Sequence, residues 1–354
     1  MKLLIAAGGT GGHIFPGLAV AEAFIAANPG NEVLFVGTPH GMERKIIPAY
    51  GFRLLEIDAR PFAGQSVLRK QAAVARLVQG IARCEGILRR ERPAAVIGMG
   101  GFTCVPVMLA AFLLRLPRFL HEQNVVPGLA NQLLSRIANR TFISFAVTRY
   151  FLKGSALHTG NPIRKSLRVE PLPRTDEMFN IFVFGGSRGA HSINKAVLLL
   201  LPYLESYKNT AIYHQTGNDD YETVQKAYAT VKVPHEVFPF TDEVEKYYGL
   251  SDVVISRAGA STIFELSYFK KPAVLVPYPF SAGAHQWKNA AHAEQIGGAY
   301  VISNDELNGG RLHAVLKELH EQPELRTRMA QNMATIYVEN AEEQIVRGMT
   351  QRVS

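Results

Sequence analysis

The chain has only two cysteines, Cys84 and Cys104, and one tryptophan in 354 residues. Two thiols build no disulfide framework, and a reducing compartment suits them. No apolar run reaches the ~18 residues of a membrane span; the longest, Val105 to Leu114, falls well short. No signal peptide is visible, since Met1-Lys2 leads into a short apolar run that ends in glycines. Metal signatures are missing too. No Cys/His set has ligand spacing, and Val125 stands where H-E-x-x-H would need its second histidine after His121-Glu122. Asp219-Asp220 follow Gly217-Asn218 in a turn, so no D-x-D stands at a strand end and a metal-dependent nucleotide-sugar site is disfavoured. There is no Gly-x-Ser-x-Gly elbow and no Gly-Lys-Ser/Thr to make a P-loop. What is present, 47% apolar and 19% charged residues, describes an ordinary globular chain long enough for two domains.

The charge is uneven. Residues 1–160 carry 18 Lys and Arg against 8 Asp and Glu, whereas the remainder carries 20 against 22. The whole excess of +8 therefore lies in the first half. Such a half attracts nucleic acid, an anionic membrane surface or phosphorylated substrates. Between Val67 and Arg90, Val67, Leu68, Val74, Leu77, Val78, Ile81 and Leu88 interleave with Arg69, Lys70, Arg76, Arg83, Arg89 and Arg90. The segment 112–118, with Phe112, Leu113, Arg115 and Arg118, has the same character. Apolar residues among cations suit an anionic bilayer surface; equally, they suit an amphipathic helix with its apolar side in a core.

Short apolar runs alternate with helical patterns. Strands are expected at 3–6, 33–36, 54–57, 95–97, 119–120 and 142–145, then at 181–184, 211–213, 236–238, 253–255, 273–276 and 300–302. That alternation predicts an α/β fold of two Rossmann-like, doubly wound domains facing a cleft. The expected division is 1–160, a proline-bearing linker at 161–178, a second domain at 179–340, and a helix at 341–354 able to pack back on the first domain.

Two glycine-rich loops mark the halves. GGTGGH at 8–13 precedes a helix expected near Pro16, and GGSRGA at 185–190 precedes one expected after Ile193. A strand that turns through glycines into a helix aims free N–H groups and a positive helix end at one point, which suits an anion. The spacing is not that of the dinucleotide fingerprint, and an acidic residue follows the second strand only loosely. His13, where loop meets helix, is a candidate general base. His121-Glu122-Gln123-Asn124 puts four polar side chains at a strand's C-terminal end. Arg164, in the linker sequence GNPIR, can neutralise a pyrophosphate. Ser256 to Thr262 again reads strand, glycine turn, helix, and Glu265 one turn inside can accept two ribose hydroxyls. His285-Gln286 opens another helix, with an amide suited to sugar hydroxyls.

Taken in order, GGTGGH (8–13), GMGG (98–101), HEQN (121–124), GNPIR (160–164), GGSRGA (185–190), SRAGASTIFE (256–265) and HQWKN (285–289) resemble the MurG family of N-acetylglucosaminyltransferases over nearly the whole chain. The resemblance implies a GT-B fold. It also implies inverting, metal-independent transfer of N-acetylglucosamine from UDP-N-acetylglucosamine to the 4-hydroxyl of the muramyl sugar of lipid I, giving lipid II and UDP in peptidoglycan synthesis. No cofactor is implied. Carried onto this chain, it places Ser187 at the donor phosphates and Thr241 at the uracil. Ala260, Ser261, Thr262, Ile263 and Phe264 line the nucleotide pocket, Glu265 takes the ribose, Gln286 the N-acetylglucosamine and Arg164 the diphosphate. Thr10, Gly11, Gly12 and Asn124 also border the donor site. Gly11, Gly12, Gly100 and Gly101 hold the acceptor pyrophosphate, and His13 is the base with Asn124 and Glu122 alongside, the choice between His13 and Glu122 staying open. Implied partners are the donor, lipid I and the anionic cytoplasmic membrane surface, with room for other cell-wall enzymes and none for nucleic acid. Two positions depart from the family, Phe102 and Cys104 standing where tyrosine and serine are usual.

Three other readings compete. A UDP-N-acetylglucosamine epimerase shares fold and donor but needs no basic amphipathic surface. A nicotinamide oxidoreductase is disfavoured by the glycine spacing. A basic binding module leaves the polar groups at second-half strand ends unexplained.

Overall fold

The computed structural model describes residues 1–58, 67–168, 177–186 and 189–351, with the side chains of 67–74 left aside. They fall into two compact units, Met1–Lys165 with Val338–Ser354, and Ser166–Tyr337. In the first, strands β1 (Lys2–Ala6), β2 (Glu32–Gly37), β3 (Arg53–Glu56), β4 (Ala95–Gly98), β5 (Arg118–Glu122), β6 (Arg140–Ile143) and β7 (Ala156–His158) form one parallel sheet in the order β3-β2-β1-β4-β5-β6-β7. In the second, β8 (Phe179–Phe184), β9 (Thr210–Gln215), β10 (His235–Phe238), β11 (Val253–Ser256), β12 (Ala273–Leu275) and β13 (Ala299–Val301) are parallel in the order β10-β9-β8-β11-β12-β13. Each order reverses beside its first strand, which is the Rossmann arrangement with a switch point between β1 and β4 and another between β8 and β11.

Helices α1 (Gly11–Ala27), α2 (Glu43–Ala49), α3 (Val67–Glu91), α4 (Cys104–Leu113) and α5 (Leu129–Leu134) belong to the first unit. The second holds α6 (His191–Leu204), α7 (Tyr221–Tyr228), α8 (Val244–Leu250), α9 (Ala260–Tyr268), α10 (His285–Gln295), α11 (Gly309–Glu321) and α12 (Pro323–Ala334). The last helix, α13 (Ala341–Thr350), rejoins the first unit against α1. The period-two alternation of a strand decides the layers. Leu3 and Ile5 of β1 pack with Ile14 and Leu18 of α1 and Ile345 and Val346 of α13. Leu4 and Ala6 face the other way, toward Cys84, Ile87 and Leu88 of α3 and Val107 and Met108 of α4. Gly348 of α13 lets the helix close on β6, because a Cβ there would lie 2.6 Å from the Phe142 ring.

Three sequence expectations shift. Helix α1 begins at Gly11 rather than near Pro16, which lies inside it; proline's preference for a helix's first turn misplaces the start. Helix α6 begins at His191, ahead of Ile193. Strand β7 was not expected, since its three residues have no buried side to leave an apolar pattern.

His214 of β9 is fully buried and satisfied as a neutral ring. Asn194 donates its amide hydrogens to the Thr216 carbonyl and Asp220, so its Oδ1 accepts from His214 Nε2 at 3.1 Å, while Nδ1 accepts from the Tyr228 hydroxyl at 3.2 Å. Burial pushes this imidazole down to about 3, against an opposing pull from Asp220. The unfolded chain takes up that proton near the ordinary histidine value of about 6.5. The stability His214 confers is therefore full above about 6.5, declines steadily as pH falls below that, and is wholly lost once pH has fallen through the folded-state value. Urea midpoints measured from pH 7 down to 4.5 should fall, and should fall less steeply in His214→Gln; equal slopes would refute this account.

Candidate functional site

In the first unit, β1 runs through Gly8, Gly9 and Thr10 into α1, and β4 runs through Met99, Gly100 and Gly101 toward α4, so two glycine turns flank the switch point. Gly100 and Gly101 have φ of +98° and +75°, and both border the His13 ring. A Cβ on Gly100 would stand 3.1 Å from its Cδ2 and Nε2, and one on Gly101 3.3 Å from Cε1. The pair expected to hold a pyrophosphate thus also seats the imidazole. His13 Nδ1 lies 3.2 Å from the Gly8 carbonyl oxygen. A carbonyl only accepts, so Nδ1 carries the hydrogen and Nε2 is the ring's proton acceptor. Thr10 caps α1, its carbonyl accepting from the His13 and Ile14 amides. The departure at Cys104 is accommodated within the turn. Its buried thiol lies 2.8 Å from the Gly100 carbonyl and 3.2 Å from that of Ala6, and Gly100 N–H donates to the sulfur. Burial raises this thiol to about 12, so it ties strand to turn and stays protonated. Phe102 is half-buried, its ring beside Gly9.

Within HEQN the structure separates roles that the sequence could not. His121 and Glu122 end β5 itself, and His121, Glu122 and Gln123 are buried. His121 Nε2 donates to the Gly160 carbonyl (3.3 Å), and Nδ1 accepts from Gln123 (2.9 Å), which also donates to Met99 (2.8 Å). Burial lowers His121 to about 4, so the ring is a neutral tie between β5, the turn after β4 and Gly160. Both Glu122 oxygens are taken. One accepts from the Asn124 amide (2.9 Å) and side chain (3.1 Å), the other from Gly128 N–H (3.2 Å) and Asn131 (2.8 Å). Burial raises the Glu122 carboxyl and those donors lower it. With four donors on two oxygens, Glu122 positions Asn124 and the turn to α5. Arg164 comes to the first turns of α1, its guanidinium 4.4 Å over the ring of Phe15, which borders Gly11.

The second unit repeats the plan. After β8, Gly186 and Gly189 have φ of +95° and +75°, and a Cβ on Gly189 would meet the Thr216 carbonyl oxygen at 1.9 Å, so only glycine fits. Ser187 lies outside the described residues. Gln215, buried at the end of β9, donates to the Gly186 carbonyl (3.1 Å) and accepts from Thr241 N–H (3.3 Å), joining the loop to the segment expected at uracil. Arg257 follows β11 and donates to the carbonyls of Val276 and Pro277, to Asn304 and, at 2.8 Å, to Ser192. It fastens the loops after β11 and β12 to the first turn of α6. Ser261 and Thr262 are half-buried at the start of α9, the Ser261 hydroxyl without a protein partner. Ile263 and Phe264 are fully buried and Ala260 nearly so. The Ile263 and Phe264 side chains belong to the core side of α9, so their part in lining a nucleotide pocket would be played by backbone. Glu265, half-buried, accepts from the Tyr248 hydroxyl (3.0 Å), and the Gln286 carbonyl oxygen accepts from Tyr278 N–H (2.9 Å).

The sequence reading missed Gln215 and Glu43. Gln215 was signalled only by a polar residue ending an apolar strand. Glu43 opens α2 just ahead of the exposed Arg44 and Lys45, yet it is fully buried beside the first glycine loop.

Comparison with known proteins agrees with this plan. Residues 3–143 match the glycosyltransferase family 28 N-terminal domain and 180–345 its C-terminal domain. A Geotalea uraniireducens protein, named UDP-N-acetylglucosamine–N-acetylmuramyl-(pentapeptide) pyrophosphoryl-undecaprenol N-acetylglucosamine transferase, is 43% identical over 99% of this chain and 98% of its own. A Geobacter metallireducens protein of the same name is 42% identical over 91% of each. The crystal structure of Acinetobacter baumannii MurG superposes with a TM-score of 0.83 at 29% identity, covering 99% of both chains. A UDP-GlcNAc 2-epimerase from Neisseria meningitidis, 16% identical with a TM-score of 0.67 over 99% of this chain and 100% of its own, shares the fold alone. Two Rossmann-like units with paired glycine turns at their switch points, and near-full-length identity above 40%, make the chain a GT-B glycosyltransferase of family 28 that belongs to the MurG family.

Proposed function

We propose that the chain transfers N-acetylglucosamine from UDP-N-acetylglucosamine to the 4-hydroxyl of the N-acetylmuramyl sugar of lipid I, forming lipid II and UDP with inversion and without a metal. The observation that carries the reading is His13, held on the Gly100-Gly101 turn with Nδ1 committed to Gly8 and Nε2 as proton acceptor. In a single displacement, Nε2 takes the proton of the 4-hydroxyl, that oxygen bonds to the anomeric carbon, and the bond to UDP breaks with its electron pair leaving on the diphosphate. The growing charge on UDP needs oriented N–H groups and helix N-termini, which the glycine loop into α6 and the start of α9 supply. Glu265 serves the ribose and Gln286 the transferred sugar, while Arg164 and the first loop serve pyrophosphate. The acceptor belongs with the first unit, where the basic charge lies.

That unit also carries the membrane reading. No helix among the described residues is long and apolar enough to cross a bilayer. At the end of α4, however, Phe112 and Leu113 are 44% and 62% exposed, with Arg118 stacked on Phe112 and Arg115 exposed beside them. Helix α3, packed on α4, exposes Val78 among Arg76, Arg83, Arg89 and Arg90. Exposed apolar groups ringed by arginines fit the cytoplasmic face of an anionic membrane.

Purified chain given UDP-N-acetylglucosamine and a short-chain lipid I analogue in EDTA should release UDP only when the analogue is present; release without it would favour an epimerase. His13→Ala should lower kcat by about 10²- to 10⁴-fold and leave UDP affinity unchanged, and near-normal turnover would remove His13 as the base. Glu265→Ala should weaken UDP binding by roughly 10- to 100-fold, as loss of a charged hydrogen bond does, and undiminished affinity in a titration would contradict the ribose role. Replacing Phe112 and Leu113 together by serine should cut flotation with phosphatidylglycerol vesicles by about 10-fold or more, whereas unchanged flotation would exclude this surface.

A further inference from the structure

One peptide group, that joining Gly8 to Gly9, is hydrogen-bonded on both sides by groups of the first unit. Its carbonyl oxygen accepts from His13 Nδ1 at 3.2 Å, and its N–H donates to Glu43 Oε2 at 3.1 Å. Resting on the reading of His13 as base, we propose that Glu43 is a positioning residue that acts on His13 through this peptide.

Glu43 is fully buried at the start of α2. Its other oxygen accepts from the Thr38 amide (2.8 Å) and hydroxyl (2.7 Å), so every partner is a neutral donor. Burying a carboxylate among neutral dipoles is unfavourable compared with leaving it in water. The chain nevertheless builds a niche for it from three glycines. A Cβ on Gly8 would lie 2.8 Å from Oε1, one on Gly37 2.6 Å from Cγ, and one on Gly41 1.9 Å from Oε2. A carboxylate accepting from one side of an amide draws its N–H and pushes electron density onto the carbonyl oxygen, since hydrogen bonds in a chain polarise one another. The Gly8 oxygen then holds the Nδ1 hydrogen more firmly. That selects the tautomer with Nε2 as acceptor and stabilises the positive ring that forms when Nε2 takes a proton. In a Ser-His-Asp triad the carboxylate meets the imidazole directly; here a peptide stands between them.

The test is Glu43→Gln, which keeps the shape and removes the charge. Its kcat should fall by roughly 10-fold, with KM for donor and acceptor little changed. The acid limb of the pH profile should move to lower pH, because the positive ring loses a nearby negative charge. Nitrogen-15 spectra of the unsubstituted protein should show His13 with its hydrogen on Nδ1, and in Glu43→Gln a share of rings should carry it on Nε2. The wild-type spectrum tests the idea even where the variant folds poorly: a hydrogen on Nε2 there overturns it. An inactive His13→Ala together with a Glu43→Gln that keeps the wild-type acid limb and tautomer also overturns the relay while leaving the base in place. An active His13→Ala would instead remove the reading on which the relay rests.

Discussion

The structure depends on how closely backbone can approach backbone at the two switch points. A parallel sheet delivers its strand ends side by side, and where the strand order reverses, the two helices that follow diverge and leave a crevice. Turning from strand to helix there needs left-handed residues and almost no side-chain volume. At Gly189 a methyl group would collide with the Thr216 carbonyl, and at Gly100 it would meet the His13 ring. The remaining polar groups are arranged around these turns. Arg257 and Gln215 fasten the second, and His121, Gln123 and Glu122 the loops beside the first.

Those fastenings share a character. Each is a polar side chain withdrawn from water and given partners for most of its donors and acceptors, an arrangement that is favourable only when complete. His121 and His214 are held neutral by burial, Cys104 keeps its hydrogen, and Glu122 takes four donors. The seat of His13 on the Gly100-Gly101 turn is itself held by one of them, the Cys104 thiol bonded to Gly100.

The fold was largely legible because buried parallel strands are short apolar runs bounded by turn residues, and twelve of these stand out along the chain. The exposed edge strand β7 left no such trace. Around the site, glycines between strand and helix announced the loops, and His13 stood where one loop met its helix. Roles that depend on burial were not legible. Polarity marks His121, Glu122 and Asn124 alike, yet only the half-exposed Asn124 escapes the interior. Ile263 and Phe264 read as part of a binding motif, but the helical period turns them into the core. Glu43 reaches Gly9 from 34 residues away, by packing and not by any local pattern.

The first unit is discontinuous. Its sheet is laid down by residue 165, but Ile345 and Val346 of its core, and Gly348 against Phe142, arrive only with the final helix. The second unit is one unbroken segment. Because domains complete as they are synthesised from the N-terminus, the order of completion here is reversed. The part of the chain made first must wait, with one face of its sheet lacking its last covering helix, until the part made second has already closed.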